Sequence, residues 1–440
     1  MIYKITKIIL LFLITLFIGI SLGYQYPKIF DVPKSYIAGI KHAIFPIKIV
    51  DNIEIKTVKY NEEIEANAFR LSLNNVAYVS LKDLIDQNQD IPRDQLLSAG
   101  LFGELLDNKP HLTYFNRSGF KIGKNKVEKF ILPKTYDPHN NSGGIRGIFF
   151  FNSKPYAWMV AKKIGCQYVA IVSLSQEKEI FKTDCLPDYK RIHFSAVGGA
   201  SIHFNDQIYL TVGSPSNSSE EIRMMAQNKN SFFGKIIAID KQELLETQID
   251  TREFIEPKIV SMGHRNPQGI AIINDQIFSS EHGPKGGDEI NLIVKGNNYG
   301  WPISSYGTKY ILEPGAEFNQ GKKLKKFYKN SHLKYDFSEP FFQFTPSIAI
   351  SDLSKCPLFL LDYYEDKNCL IATSLKNKSI YIFIISENND RIIGFERINF
   401  KKRLRHFALK KDGNIFEYDN SIYISTDDGY VLDVKFTFNK

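Results

Sequence analysis

Several residue types are scarce in this 440-residue chain, which has four cysteines, five methionines and two tryptophans. No two cysteines stand as Cys-x-x-Cys and none has a histidine at zinc-ligand spacing, which argues against a metal–thiolate site. There is no Gly-x-Ser-x-Gly elbow and no His-Glu-x-x-His, so a hydrolase has no support. Helical periodicity is thin, residues 80–88 and 97–106 being the best short candidates. Charge of neither sign dominates, with 56 basic against 48 acidic residues and a net charge of +8. No basic run is interleaved with stacking aromatics, so a nucleic-acid partner is not expected.

Apolar residues, by contrast, make up 43% of the chain and aromatics 13%, enough for a sizeable core. Lys4 and Lys7 precede an uncharged, apolar stretch over residues 8–26, the pattern of an export signal. Small residues at Ser21-Leu22-Gly23 permit cleavage, but the run nearly reaches the roughly 20 residues that span a bilayer, so an uncleaved anchor fits equally well. The leading lysines place the rest of the chain outside the cytoplasm, in the periplasm, anchored to the inner membrane or released from it. Residues 27–64 read as a tether. The four cysteines form two pairs close in sequence, Cys166 with Cys185 and Cys356 with Cys369. Local disulfides suit an oxidising compartment, although four cysteines allow three pairings that spacing does not separate.

From about residue 65 the chain reads as short β-branched and aromatic runs broken by Asn-Asp, Asp-Gly or Gly. Examples are 76–81, 147–151, 168–172, 208–212, 235–239, 270–273, 379–384 and 421–426. Many short strands at even spacing imply an all-β sandwich, barrel or propeller. A hairpin layout (apolar strand, polar turn, aromatic-rich strand) recurs at 202–213, 270–280 and 407–426, which favours a propeller over residues 65–440.

The chemistry concentrates in three short stretches. Gly263-His264-Arg265-Asn266-Pro267-Gln268-Gly269 leads into a strand. Glu281-His282-Gly283-Pro284-Lys285-Gly286-Gly287-Asp288-Glu289 follows it, and then Asn298-Tyr299-Gly300-Trp301-Pro302. Arg265 offers a planar five-donor fork beside the amide of Asn266. The glycine-rich turn at Gly283 and Pro284 can aim carbonyl oxygens at a hard cation. Lys376, Arg403 and Arg405 fall near strand ends, where cations could converge on a polyanion; as an isolated pair, Arg403 and Arg405 would also suit a solvated edge. Asp288 and Glu289, as neighbours, would point to opposite faces of a strand and so suit loop organisation better than joint acid/base work.

These stretches resemble the signature of the quinone-dependent (PQQ) glucose, sorbosone and aldose sugar dehydrogenases, with weaker similarity over 143–440. The resemblance implies a six-bladed β-propeller with four-stranded antiparallel blades that oxidises the CH–OH group of aldose sugars. Arg265, Asn266, Lys376, Arg403 and Arg405 would hold the carboxylates of PQQ, and Gly283 and Pro284 would bind Ca2+. Trp301 and Tyr299 would line a sugar site or pack between blades. The electron acceptor is not encoded in any motif.

One element of the family pattern is missing. Its general-base histidine precedes a small-residue turn that here reads Ala196-Val197-Gly198-Gly199. Aligning the following strand puts the base at Val197, and a shift of one residue puts it at Ala196; neither accepts a proton. His193 and His264 are the candidate substitutes, His203 and His282 lie nearby in sequence or motif, and His406 would add positive charge beside Arg405 if protonated. Impaired catalysis is expected. The alternative is a non-catalytic propeller that binds a sugar, a cell-envelope ligand or a protein partner.

Overall fold

The computed structural model describes residues 61–65, 69–75, 97–123, 127–138, 142–188, 192–215, 220–308, 328–365 and 367–438. All belong to the unit spanning residues 49–440. The anchor or signal segment, the tether up to residue 60, and the strand and helix expected over 76–88 lie outside the described residues. No helix among the described residues is long and apolar enough to cross a membrane.

The fold is all-β. Four separate four-stranded antiparallel sheets occupy residues 145–182, 201–262, 267–344 and 350–399, and a ten-stranded sheet joins the first and last strands of the described residues. Each of the three recurrent layouts in the sequence forms a hairpin or a pair of adjacent strands. The strands are short because Asn or Asp residues at positive φ, such as Asn205, Asn274 and Asp275, turn the chain after each apolar run.

Every sheet shares its core with the next. Trp158, Val169 and Ile171 of the first sheet pack with Leu210, Val212 and Ile237 of the second. Ile202 and Ile236 pack with Ile270 and Ile277, and Phe278 and Ile290 with Ile350 and Phe383. Ile371 and Ile382 pack with Phe407 and Ile424 of the C-terminal strands. The succession closes where Ala408 pairs in parallel with Leu101 and where Ala99, Phe102 and Phe115 pack against Ile148 and Phe150 of the first sheet. Strands buried on both faces read as nearly continuous apolar runs, hence Cys166–Ser173, buried at all eight positions.

Two expectations are corrected here. Residues 97–106 are not helical: Ser98–Leu106 is a strand, antiparallel to Lys109–Asn116 and parallel to Leu404–Leu409. Its helical spacing of leucines is overridden by pairing with a distant segment. The tether also ends earlier than residue 64, because Asn61–Glu65 is a strand paired with Phe69–Asn75. That second strand in turn pairs with Val431–Phe438, so the start and end of the described chain share one sheet. Both cysteine pairs form local disulfides, Cys166–Cys185 and Cys356–Cys369.

Candidate functional site

The first strands of successive sheets adjoin around a common axis, and one cavity opens at the end where those strands begin. It has a volume of about 640 Å³, within the range of small-molecule sites. Arg265, Asn266, Gly283, Pro284, Lys376, Arg403 and Arg405 all line it. Residues spread over 140 positions of sequence thus converge, as loops at one end of a scaffold do.

The three arginines of this set are each held by a partner. Arg265 donates from Nη1 to the His282 carbonyl at 2.9 Å, its backbone N–H donates to Glu281 Oε2 at 2.9 Å, and its guanidinium lies 5.2 Å over the Trp301 ring. Among the described residues, Arg265 Nε has no hydrogen-bond partner. Asn266 Oδ1 accepts from Gln268 at 2.8 Å. Asp427 bridges two cations, accepting from Arg403 Nε at 2.8 Å and from Arg405 Nε at 2.5 Å. The two guanidiniums hold its carboxyl below the usual range against the opposing effect of burial. Asp427 thus ties Arg403 and Arg405 together, Arg405 buried and Arg403 about half exposed.

The Gly283 turn is shaped by the acid that follows it. Asp288 accepts from the Gly283 N–H at 3.1 Å and from Ser347 Oγ and the Ala349 N–H at 2.7 and 2.6 Å. A Cβ on Gly283 would meet the Gly287 carbonyl at 2.0 Å, so the close backbone approach requires glycine. Glu289 faces the other way, 3.3 Å from Asn291 Nδ2 and 3.8 Å from His332 Nε2. Burial, and then the charge of neighbouring Glu281, raises its carboxyl well above the usual value. Asp288 organises the loop, as its position in the motif suggested, and Glu289 joins a buried network in which Asn291 links it to Glu281.

Other expected site residues stand elsewhere. Tyr299 is 1% exposed, stacked 4.7 Å from His264, and its hydroxyl donates to the Leu292 carbonyl. It is core and does not line the cavity. Trp301, 6% exposed, supports Arg265 from behind and does not face the opening. His264 is fully buried on Ser261 Oγ at 2.8 Å, so it has no access to the cavity and cannot substitute for the base. His193 precedes the 194–196 turn and His203 bonds the Phe150 carbonyl, and neither is a cavity-lining residue. His406 does not add charge: burial first, then Arg405 and Arg117, push its pKa down to about 3, and Nδ1 lies 3.1 Å from Ser98 Oγ.

The two candidate base positions, Val197 and Ala196, differ in their surroundings. Val197 is fully buried in the core, and its carbonyl accepts from Trp158 Nε1 at 2.8 Å. Ala196 lines the cavity instead. Gly198 and Gly199, at φ 70° and 118°, bring this turn against Thr211 and the Arg146 carbonyl, where a Cβ would collide at 2.4 and 2.7 Å.

Residues 160–429 match the glucose/sorbosone dehydrogenase family. The chain belongs to that family. It is 28% identical over 227 residues to the aldose sugar dehydrogenase YliI of Escherichia coli, covering 50% of this chain and 56% of that protein. It is 30% identical over 223 residues to an uncharacterized protein of Synechocystis, 48% of this chain and 50% of that one. Over 74 residues it is 40% identical to quinoprotein glucose dehydrogenase B of Acinetobacter calcoaceticus, 17% of this chain and 16% of that protein. The chain thus spans about half the length, or less, of the curated relatives it matches. The fold is similar to the crystal structure of the Escherichia coli soluble aldose sugar dehydrogenase in its apo form, with a TM-score of 0.55 and 19% identity over 79% of this chain and 97% of that one. It is also similar to a glucose dehydrogenase crystal structure, with a TM-score of 0.54 and 20% identity over 77% and 98%.

Within this family member, the sequence reading missed the cavity residues Arg117 and Arg146, and Lys285 and His282 of the Gly283 motif line the cavity too. Arg146 donates from Nη2 to the Ser195 carbonyl at 2.9 Å. A lone arginine in the apolar Ile145–Phe151 strand was the available signal. His282 lines the cavity with its imidazole pushed down to about 4, by burial first and then by Arg265, Arg405 and Arg403, against the opposing charge of Asp288.

Proposed function

We propose that the chain is a PQQ- and calcium-dependent oxidoreductase acting on the CH–OH group of aldose sugars, in the periplasm, tethered by its N-terminal segment. The observation that carries this reading is the convergence of Arg265, Asn266, Lys376, Arg403 and Arg405 on one cavity beside the Gly283-Pro284 turn. The residues present fit a tricarboxylate. No acidic side chain lines the cavity among the described residues, and Arg265 Nε still lacks an acceptor there. Neither the Gly283 nor the Pro284 carbonyl accepts a hydrogen bond within the described residues, which leaves both oxygens available to a hard cation.

The ten-stranded sheet divides at the parallel contact between Leu404–Leu409 and Ser98–Leu106. Taken as two blades, it would bring the four separate sheets to the six of the proposed propeller, with the first and last described strands sharing one blade.

Bound PQQ would supply a two-electron acceptor for hydride leaving the sugar carbon. The chain's own contribution is positional. Asp427 holds Arg403 and Arg405 in register, Trp301 and the His282 carbonyl hold Arg265, and Asp288 shapes the calcium turn. The sugar hydroxyl must also lose a proton, and Ala196 cannot take it. A general base is worth about 10²–10⁴ in rate, so weak turnover follows. That same alanine favours the second reading, a binding propeller without catalysis. Titrating the protein with quinone and calcium, by absorbance and by dye-linked aldose oxidation, decides between them. Quinone binding with slow turnover supports the oxidoreductase, and no quinone binding favours the binding protein.

A further inference from the structure

Lys235 opens the Lys235–Asp240 strand of the second sheet and is fully buried. A buried ammonium is costly unless its donors are met. Here Nζ donates to the carbonyls of Met225, Ala226 and Phe233 at 3.0, 3.0 and 2.8 Å, so all three of its protons are used. The cation thereby ties both ends of the 225–233 loop to the strand that follows it. That loop touches the Arg265 motif at several points. The Ala226 carbonyl also accepts from the Gly263 N–H at 3.1 Å, and the Gly234 carbonyl, next to Lys235, accepts from the His264 N–H at 3.1 Å. The seating is close: a Cβ on Gly234 would meet the Ala226 Cβ at 2.4 Å and the His264 carbonyl at 2.7 Å. From the same loop, Gln227 Nε2 donates to the Trp301 carbonyl at 2.6 Å and to Asn298 Oδ1 at 3.1 Å, and its Oε1 accepts from Asn298 Nδ2 at 2.7 Å. Trp301 donates its own N–H to the Gly263 carbonyl at 2.9 Å, and its ring lies 5.2 Å from the Arg265 guanidinium. Contacts thus run without a break from Lys235, through Gln227 and Trp301, to Arg265.

We infer that Lys235 and Gln227 are positioning residues for Arg265: the buried cation fixes the 225–233 loop, and Gln227 carries that constraint to Trp301, against which the guanidinium rests. This rests on reading Arg265 as a clamp on the quinone's carboxylates. Neither Lys235 nor Gln227 lines the cavity, so both act through Arg265 and not on the cofactor or the sugar. A lysine that only filled core volume could be replaced by an apolar side chain of similar length without consequence for the site, because buried charges are often neutral or unfavourable for stability. The inferred role makes the opposite demand, since misplacing a clamp by a fraction of its reach weakens what it binds.

The test compares the full-length chain in mild detergent with K235M and Q227L by two readouts: hydrogen–deuterium exchange without ligand, and absorbance titration with PQQ at saturating calcium. Peptides covering 298–303 should exchange about three- to tenfold faster in both variants, the loss of one neutral hydrogen bond, and those covering 261–266 should do so in K235M. The Leu404–Leu409 strand, which carries Arg405, should exchange as in the parent. Quinone should bind about tenfold or more weakly in either variant, the loss of one charge-assisted hydrogen bond. Added to R265Q, K235M or Q227L should weaken binding little further, whereas added to R405A each should act in full. Unchanged exchange at 298–303 overturns the inference, as does exchange that rises equally over the whole molecule, which would make Lys235 an ordinary core residue. Full additivity with R265Q overturns it too, and so does unaltered quinone affinity in both variants. Should K235M fail to fold, Q227L carries the same test, since Gln227 is only half-buried and outside the cation's cage. If the parent binds no quinone while the local exchange response holds, the clamp reading falls and the positioning of Arg265 stands.

Discussion

Replacing Ala196 by histidine should restore a proton acceptor, whereas the same change one residue later should damage the fold. Ala196 lines the cavity proposed to take the sugar, and Val197 does not. Nearby Arg146 favours the neutral form of an imidazole there, the one a base requires. Supplying a general base is worth about 10²–10⁴ in rate. Val197, by contrast, is fully buried beside Trp158, Phe194 and Ile208. An unpartnered imidazole in that core costs about 1–3 kcal/mol in desolvation, and overpacking adds about 1–3 kcal/mol. That is a large fraction of the 5–15 kcal/mol typical of a domain. The assay is dye-linked oxidation of an aldose panel with saturating quinone and calcium, paired with thermal unfolding of Ala196→His, Val197→His and the parent. An active Val197→His beside an inert Ala196→His would refute the loop register. Brisk turnover by the parent, unchanged in Ala196→His, would mean that another group takes the proton. His282→Gln would then test the one histidine that lines the cavity among the described residues.

Three further outcomes are expected. Arg405→Ala should weaken quinone binding by about 1.5–3 kcal/mol, the range for hydrogen bonds to charged groups, and the absorbance titration should move by ten- to a hundredfold. His406 stays neutral in the folded protein down to about pH 3, whereas the unfolded side chain protonates near 6.5. Between those values the unfolded state binds more protons, so stability should fall as pH drops from 6.5 towards 3. The loss should be smaller in His406→Gln, as followed by denaturant unfolding at each pH. Reducing the Cys166–Cys185 and Cys356–Cys369 bonds, which close loops of 19 and 13 residues, should lower stability by about 3 kcal/mol each on the chain-entropy account. A melting temperature unmoved by dithiothreitol would contradict it.

That Arg265, Lys376, Arg403 and Arg405 would converge was legible in the sequence because they sit on short motifs at strand ends, where backbone geometry is local and side-chain direction follows from the strand. What sequence spacing did not carry is anything decided by distant pairing. Residues 97–106 look helical in isolation, yet become a strand through Lys109–Asn116 on one side and Leu404–Leu409 on the other. Residues 61–64 look like linker until Phe69–Asn75 and Val431–Phe438 are seen to complete their sheet. Tyr299 and Trp301 have the aromatic–glycine setting of a sugar platform, but they pack beneath Arg265 and beside His264, one step back from the surface that would meet a ligand.

The base loop shows the same limit at single-residue scale. Aligning it on the strand hydrophobics placed Val197 at the base, because Ile202 and Phe204 set a plausible period. The glycines decide otherwise. Gly198 and Gly199 must occupy positive φ where the turn presses on Thr211 and Arg146, and that constraint fixes which side chain before them reaches the cavity. Two glycines with a steric reason to be there are a firmer anchor than two apolar residues that any strand would accept. Of the two candidate positions Ala196 is the one that lines the cavity, and Arg146, from the preceding sheet, donates to the Ser195 carbonyl beside it.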